Sequence, residues 1–156
     1  MIEQGSSTRL FIPALGGFYG AVSGLGYPLI RFITGLILMP HGAGKLFGWF
    51  GGRGIEGTAA GFAKMGLEPA HLFAYVVGAT EFFGGLFLAI GLLTRPAAVG
   101  MIAIMAVAVF HVHLKNGFFW FNGGYEYPLL WGMIGIAILF RGGGALSVDR
   151  KIGREF

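Results

Sequence analysis

The chain has 156 residues, 55% of them hydrophobic and only 12% charged, where a soluble domain carries about 25% charged residues, so a water-soluble globule is excluded. Its net charge of +4 comes from singly placed Lys and Arg with no basic stripe, which argues against nucleic acid and for membrane topology. The absence of cysteine excludes thiol redox chemistry, disulfides, thiolate metal sites and cysteine-ligated Fe–S clusters on this chain.

Residues 1–12 carry Glu3 and Arg9 among small polar residues and lack the basic-then-apolar layout of a signal peptide. Residues 10–27 are apolar but contain Pro13 and many glycines, and they read as an interfacial or re-entrant lead-in rather than a further span. A first span is predicted from about Pro28 to Phe47, with a kink at Pro40. A second covers about His71 to Leu93 and ends in the turn Thr94-Arg95-Pro96. The third covers about Ala97 to Leu114. The fourth runs from Pro128 to Arg141, short for a bilayer about 30 Å thick, with Phe118-Phe119-Trp120-Phe121 in the interface before it. The expected fold is an all-α membrane protein. It is a four-transmembrane-helix bundle over residues 28–141 with short aromatic interfacial segments, preceded by an N-terminal cytoplasmic or interfacial segment (1–27) and followed by a basic tail (142–156). Four spans put both termini on one face with Arg9, Arg31, Arg95, Arg141, Arg150, Lys151 and Arg154, and the positive-inside bias makes that face cytoplasmic.

Six ionisable residues lie within or beside these spans: His41, Lys45, Glu81, His111, His113 and Glu126. A charge near the bilayer centre costs about 2.5–3.5 kcal/mol on insertion scales, so each needs a partner or a purpose. Counting about 1.5 Å of rise per residue from the cytoplasmic helix ends gathers most of them in the outer half of the membrane. His41 and Lys45 are spaced i, i+4 and share a helix face. Lys45 and Glu81 form the natural ion pair, helped by Gly44 and Gly84-Gly85, which let helices approach closely. His111 and His113 are about 200° apart on a helix. The deeper His111 is expected inside the bundle, and His113 is expected to snorkel. The resulting pocket, lined by His41, Lys45, Glu81 and His111, is expected to open toward the 48–70 and 115–127 loops, with the 118–121 aromatics as lid.

Plainer readings exist for each feature. A buried Glu–Lys pair and a histidine can serve only to fix helix register. Arg31, His113 and Lys115 fit snorkelling residues at helix ends, and Trp49, Trp120, Tyr125 and Tyr127 fit an interfacial belt. His41, His111 and Glu81 have no metal-ligand spacing signature, so no metal site is assigned. Two histidines on different helices also permit haem ligation, which their depth alone does not favour. No phosphate loop, nucleophile elbow or dinucleotide fingerprint is present.

The run R-F-I-T-G-L-I-L-M-P-H-G-A-G-K-L-F-G (31–48) resembles the opening of the DoxX family of small bacterial membrane proteins. G-A-T-E-F-F-G-G-L-F-L-A-I-G-L-L-T-R (78–95), H-V-H-L-K-N-G-F-F (111–119) and G-G-Y-E-Y-P-L-L (123–130) follow in the family's order. The resemblance covers about residues 28–150 and implies a compact four-helix bundle in the bacterial cytoplasmic membrane. Relatives include the membrane part of a quinone-linked oxidoreductase and proteins of redox-associated complexes. Arg31, His41, Lys45, Glu81, His111 and Glu126 match the family pattern.

The expected function is therefore an integral membrane subunit of a quinone-linked oxidoreductase, with a soluble partner supplying electrons. Quinone is the cofactor expected, contacted by His41, Lys45, Glu126 and Trp120. His41, Lys45, Glu81 and His111 are the expected proton-handling and carbonyl-polarising groups. The alternatives are a non-catalytic accessory subunit of a larger membrane assembly and a small proton-coupled transporter. The transporter is the weaker of these, for the sequence has no inverted repeat.

Overall fold

The computed structural model describes residues 9–156, and among them all regular structure is helical. The principal helices are α1 (Pro13–Phe47), α2 (Gly54–Lys64), α3 (Ala70–Ile90), α4 (Thr94–Asn116), α5 (Glu126–Arg141) and the short α6 (Val148–Ile152). Three of them, α1, α3 and α4, are long and apolar enough to cross a membrane. The 16-residue α5 reaches about 24 Å at 1.5 Å per residue and packs mainly along α4. The all-α bundle expected from the sequence is present, with three helices of crossing length and a shorter fourth.

The N-terminal part differs from expectation. In place of a re-entrant lead-in ending at Pro28, one helix of 35 residues runs from Pro13 through Pro28 and Pro40 to Phe47. The glycines between residues 16 and 26 all keep negative φ, and among the described residues the first left-handed glycine is Gly48, so no glycine turn breaks the helix between Pro13 and Phe47. At about 52 Å, α1 is longer than the roughly 30 Å of hydrocarbon. Its first turns, from Pro13 to Leu25, bury no residue against the bundle. The first eight residues of the expected 1–27 segment lie outside the described residues.

Two glycine pairs bring α1 and α3 together. Gly35 and Gly42 are seven residues apart on α1, as are Gly78 and Gly85 on α3. A Cβ on Gly35 would run into the Gly85 carbonyl, and one on Gly42 would sit 2.6 Å from the Gly78 carbonyl. In lipid, where apolar burial gives little drive for association, such backbone contact supplies the packing. A core of Leu38, Leu88, Ala97, Ala98, Met101 and Ile138 then joins α1, α3, α4 and α5. The segment 48–70, expected to be a loop, contains α2, whose Ala59 packs with Ala70 and Ala74 of α3, flanked by Ile55 and Phe62.

At the terminal end of the bundle two buried charged side chains fasten the chain. Arg31 is 1% exposed, not snorkelling. Its guanidinium donates to the Leu88 carbonyl, to Ala89 O at 3.0 Å and to Leu146 O at 2.5 Å, gathering the end of α3 and the 142–147 turn onto α1. Asp149 accepts from the Leu93 and Thr94 amides at 2.8 and 2.9 Å and from Thr94 Oγ1 at 2.7 Å, capping the start of α4. Residues 142–156 therefore fold back against the bundle, where Glu155 also pairs with Arg95 at 2.9 Å.

Candidate functional site

The Gly42–Gly78 contact decides what happens one turn further along each helix. Lys45 follows Gly42 by three residues and Glu81 follows Gly78 by three, so the two side chains meet, with Lys45 Nζ 2.5 Å from Glu81 Oε2. The expected cross-helix pair is formed. Glu81 keeps 9% of its side-chain surface exposed and Lys45 27%, so the carboxylate sits inside and the ammonium at the rim. Glu81 also lies in a wide π turn, Thr80–Gly84, a deviation that costs regular hydrogen bonding and often accompanies functional positions.

The pair faces a cavity of about 540 Å³ between α1, α3 and α4, with Tyr127, Pro128 and Trp131 of α5 closing one side. Its walls are mostly apolar, including Ile37, Leu38, Phe73, Val77, Ile104 and Met105. The polar groups reaching it are Thr34, His41, Lys45, Glu81, His113 and Tyr127. This size and this lining, apolar with a few convergent polar groups, suit a flat or elongated small molecule.

The two histidines of α4 are placed opposite to expectation. His113 lines the cavity, whereas His111 lies outside it and pairs through Nε2 with the Met65 carbonyl at 2.9 Å. The reason is the π turn Ala108–His113. Ala108 lines the cavity. In a regular α-helix positions 111 and 112 would share its face; with i→i+5 bonding that face passes to 112 and 113. His113 Nδ1 is also within 2.7 Å of the Gly123 carbonyl, which fixes its ring against the 117–125 loop.

Glu126 and Trp120 do not line the cavity either. Glu126 Oε2 accepts from the Trp120 amide at 3.1 Å, and the Glu126 amide donates to Phe118 O at 2.9 Å, so this residue pins the aromatic loop. Trp120 stacks on Tyr127 at 5.5 Å, and Tyr127 is the ring that reaches the cavity. The cover is not the 118–121 run but α2 and the turn after it, through Phe62, Met65 and Leu67. A sequence signal for this cover exists: Ile55, Ala59 and Phe62 are spaced i, i+4, i+7, as one face of a short amphipathic helix requires. The stripe Thr34, Leu38, His41 and Lys45 on α1 likewise marks the cavity face.

A second chamber, of about 380 Å³, is also lined by His41 and Lys45. It is bounded by the turn Trp49–Arg53 and by Gly57, Thr58 and Gly61 of α2. This turn folds back so tightly that Gly52 rests on the backbone of Gly44. Gly44 therefore admits the loop, not a neighbouring helix. Among the described residues no group of three or more His, Asp or Glu side chains is arranged to hold a metal ion.

The DoxX family model matches residues 26–114, more than half of the chain. A Bacillus subtilis (strain 168) protein named "Putative oxidoreductase CatD" is 36% identical over 114 residues, covering 73% of this chain and 78% of that protein. A Haemophilus influenzae protein named "Uncharacterized protein" is 30% identical over 129 residues, covering 78% of this chain and 87% of its own length. No solved structure matches the chain.

Proposed function

The chain is a member of the DoxX family, and from that footing we propose that it is the membrane subunit of a quinone-linked oxidoreductase, with the quinone ring bound in the cavity beside Lys45 and Glu81. The observation that carries this reading is an ion pair at 2.5 Å set into the wall of a mostly apolar cavity of about 540 Å³. A purely structural pair gains nothing from facing open volume, whereas a ligand with an apolar body and two polar ends uses both kinds of surface. The name of the Bacillus relative is in keeping with redox work.

A quinone takes up two electrons and two protons at its carbonyl oxygens. Lys45 is suited to donate a hydrogen bond to one oxygen and to favour negative charge there. His41, His113 and Glu81 are the groups that hold and pass protons, since imidazole and carboxylate can each accept and release one. Tyr127 and Trp131 form the aromatic wall. Electrons come from a soluble or membrane-bound partner, because the chain has no cysteine and no cofactor motif of its own.

In this reading α5 also crosses the bilayer, with the aromatic 118–121 segment covering the depth that its 16 residues leave. The termini lie in the cytoplasm of a bacterial cell, and α2 and the 117–125 loop lie outside. The test is extraction of the native complex in mild detergent, followed by quantification of bound quinone and assay of quinone reduction. Quinone at about one per chain with reductase activity is expected; neither quinone nor activity in the intact complex refutes the proposal.

A second reading, an accessory subunit within a larger assembly, is favoured by one observation. Residues from Pro13 to Leu25 form helix with no buried residue and expose Leu15, Phe18, Tyr19, Val22 and Leu25. Full activity of complexes carrying His41→Ala and Glu81→Ala selects this alternative.

A further inference from the structure

His41 and Lys45 line both chambers, and the two chambers differ in kind. The larger is walled mainly by apolar side chains of the transmembrane helices. The smaller is built from an exposed turn, with Trp49 and Phe50 at 55% and 78% exposure, and from backbone-rich glycine surface together with Arg53 and Thr58. Phe62 and Met65 also line both chambers. Among the described residues the His41 side chain makes no hydrogen bond, whereas His71, His111 and His113 are each engaged, by Glu56, Met65 O and Gly123 O. Lys45, the other polar group common to both chambers, is committed to Glu81.

We infer that the smaller chamber is a water-filled port on the loop face and that His41 relays protons between its water and the Lys45–Glu81 pair. Water in the port gives a proton to one ring nitrogen of His41, and the opposite nitrogen releases its own proton into the shared cavity toward the Glu81 carboxylate; the reverse order returns it. An imidazole with both nitrogens uncommitted can do this by tautomer exchange. A permanently charged side chain such as Arg53 cannot. Arg53 and Lys45 are the charged groups facing the port, and among the described residues no carboxylate lines it, so His41 is the uncommitted group there able to take a proton on one nitrogen and release another from the opposite one. This deepens the quinone reading by assigning the side from which its protons come, but the port itself exists whether or not quinone binds.

The fold provides a plug for testing this. Gly61 lines the port, and a Cβ added there meets nothing within 4 Å, so a bulky side chain can start there without a backbone clash, and Gly61→Trp is the plug. The readout is exchange of the His41 ring N–H proton with water, measured by NMR on the lipid-embedded full chain, with the His41 signal identified by its loss in His41→Gln. Fast exchange in the parent and a slowing of about tenfold or more in Gly61→Trp is expected. A protected His41 ring in the parent, or unchanged exchange in the plugged protein, overturns the port.

A second variant guards against a misfolded plug. The chain has no cysteine, so His41→Cys gives a lone thiol. Modification of that thiol by an impermeant thiol reagent, in sealed vesicles with the loop face outward, is expected and should be blocked by the added Gly61→Trp. Equal labelling with and without the plug overturns the route. Binding of a quinone analogue is measured on the unsubstituted protein: its absence tells against the quinone reading alone, while the exchange and labelling results decide the port.

Discussion

Gly42 of α1 and Gly78 of α3 touch backbone to backbone, and one turn beyond them Lys45 and Glu81 close into an ion pair. The small residues and the charges are one device. Without the close approach, the ammonium and the carboxylate would each face a low-dielectric surround alone.

Substitution of Gly42 by Ala is accordingly expected to destabilise the bundle by about 1–3 kcal/mol, the cost of overpacking a closed contact. Thermal unfolding in detergent should show a lower midpoint for Gly42→Ala, whereas Gly61→Ala, where the added methyl meets open space, should leave the midpoint unchanged. Equal midpoints for Gly42→Ala and the parent would mean that the helices are not in contact there.

Removing one partner of the ion pair should cost more than removing both. Lys45→Met leaves Glu81 buried without a counter-charge, with an expected loss of about 3 kcal/mol, at the low end for buried pairs because Lys45 is 27% exposed. The double variant Lys45→Met, Glu81→Met should regain most of that stability. A double-mutant cycle in unfolding free energy checks this, and additive losses would show the pair to be uncoupled.

The two histidines of α4 should separate cleanly. His113→Ala alters the cavity wall and is expected to weaken binding of a quinone analogue by about tenfold, the loss of one polar contact. His111→Ala frees the Met65 carbonyl and should loosen α2, seen as faster amide exchange over 54–65, with binding nearly unchanged. The opposite assignment would restore the regular-helix phase through 108–113.

Arg31 should matter for folding and not for ligand binding. It satisfies three carbonyls with a planar fork, which Lys cannot reproduce, so both Arg31→Met and Arg31→Lys are expected to lower the unfolding midpoint while folded protein still binds the analogue. Full stability of Arg31→Lys would show that charge alone suffices.

Much of this is legible in the sequence because the physics involved is local or compulsory. Hydropathy locates the crossing helices, and the cost of isolated charge requires a partner for Lys45, with Glu81 the carboxylate set inside the second span beside Gly84-Gly85. The phase of His111 and His113 is not legible, since a π turn changes the period and has no reliable sequence mark. Arg31 reads as a snorkelling side chain because its carbonyl partners, at Leu88, Ala89 and Leu146, are 57 or more residues away. The aromatics at 118–121 read as the cover because rings are conspicuous, whereas the face of α2 is written in Ile55, Ala59 and Phe62 within a glycine-rich stretch.

The most direct test of the central claim is photo-crosslinking with an azido-quinone in native membranes, followed by peptide mapping of the labelled chain. Label is expected on α1 and α3 near Ile37 and Val77, competed by unlabelled quinone and lost when Lys45→Met is combined with Glu81→Met. Label confined to the lipid-facing surface, or unaffected by competitor, would contradict it.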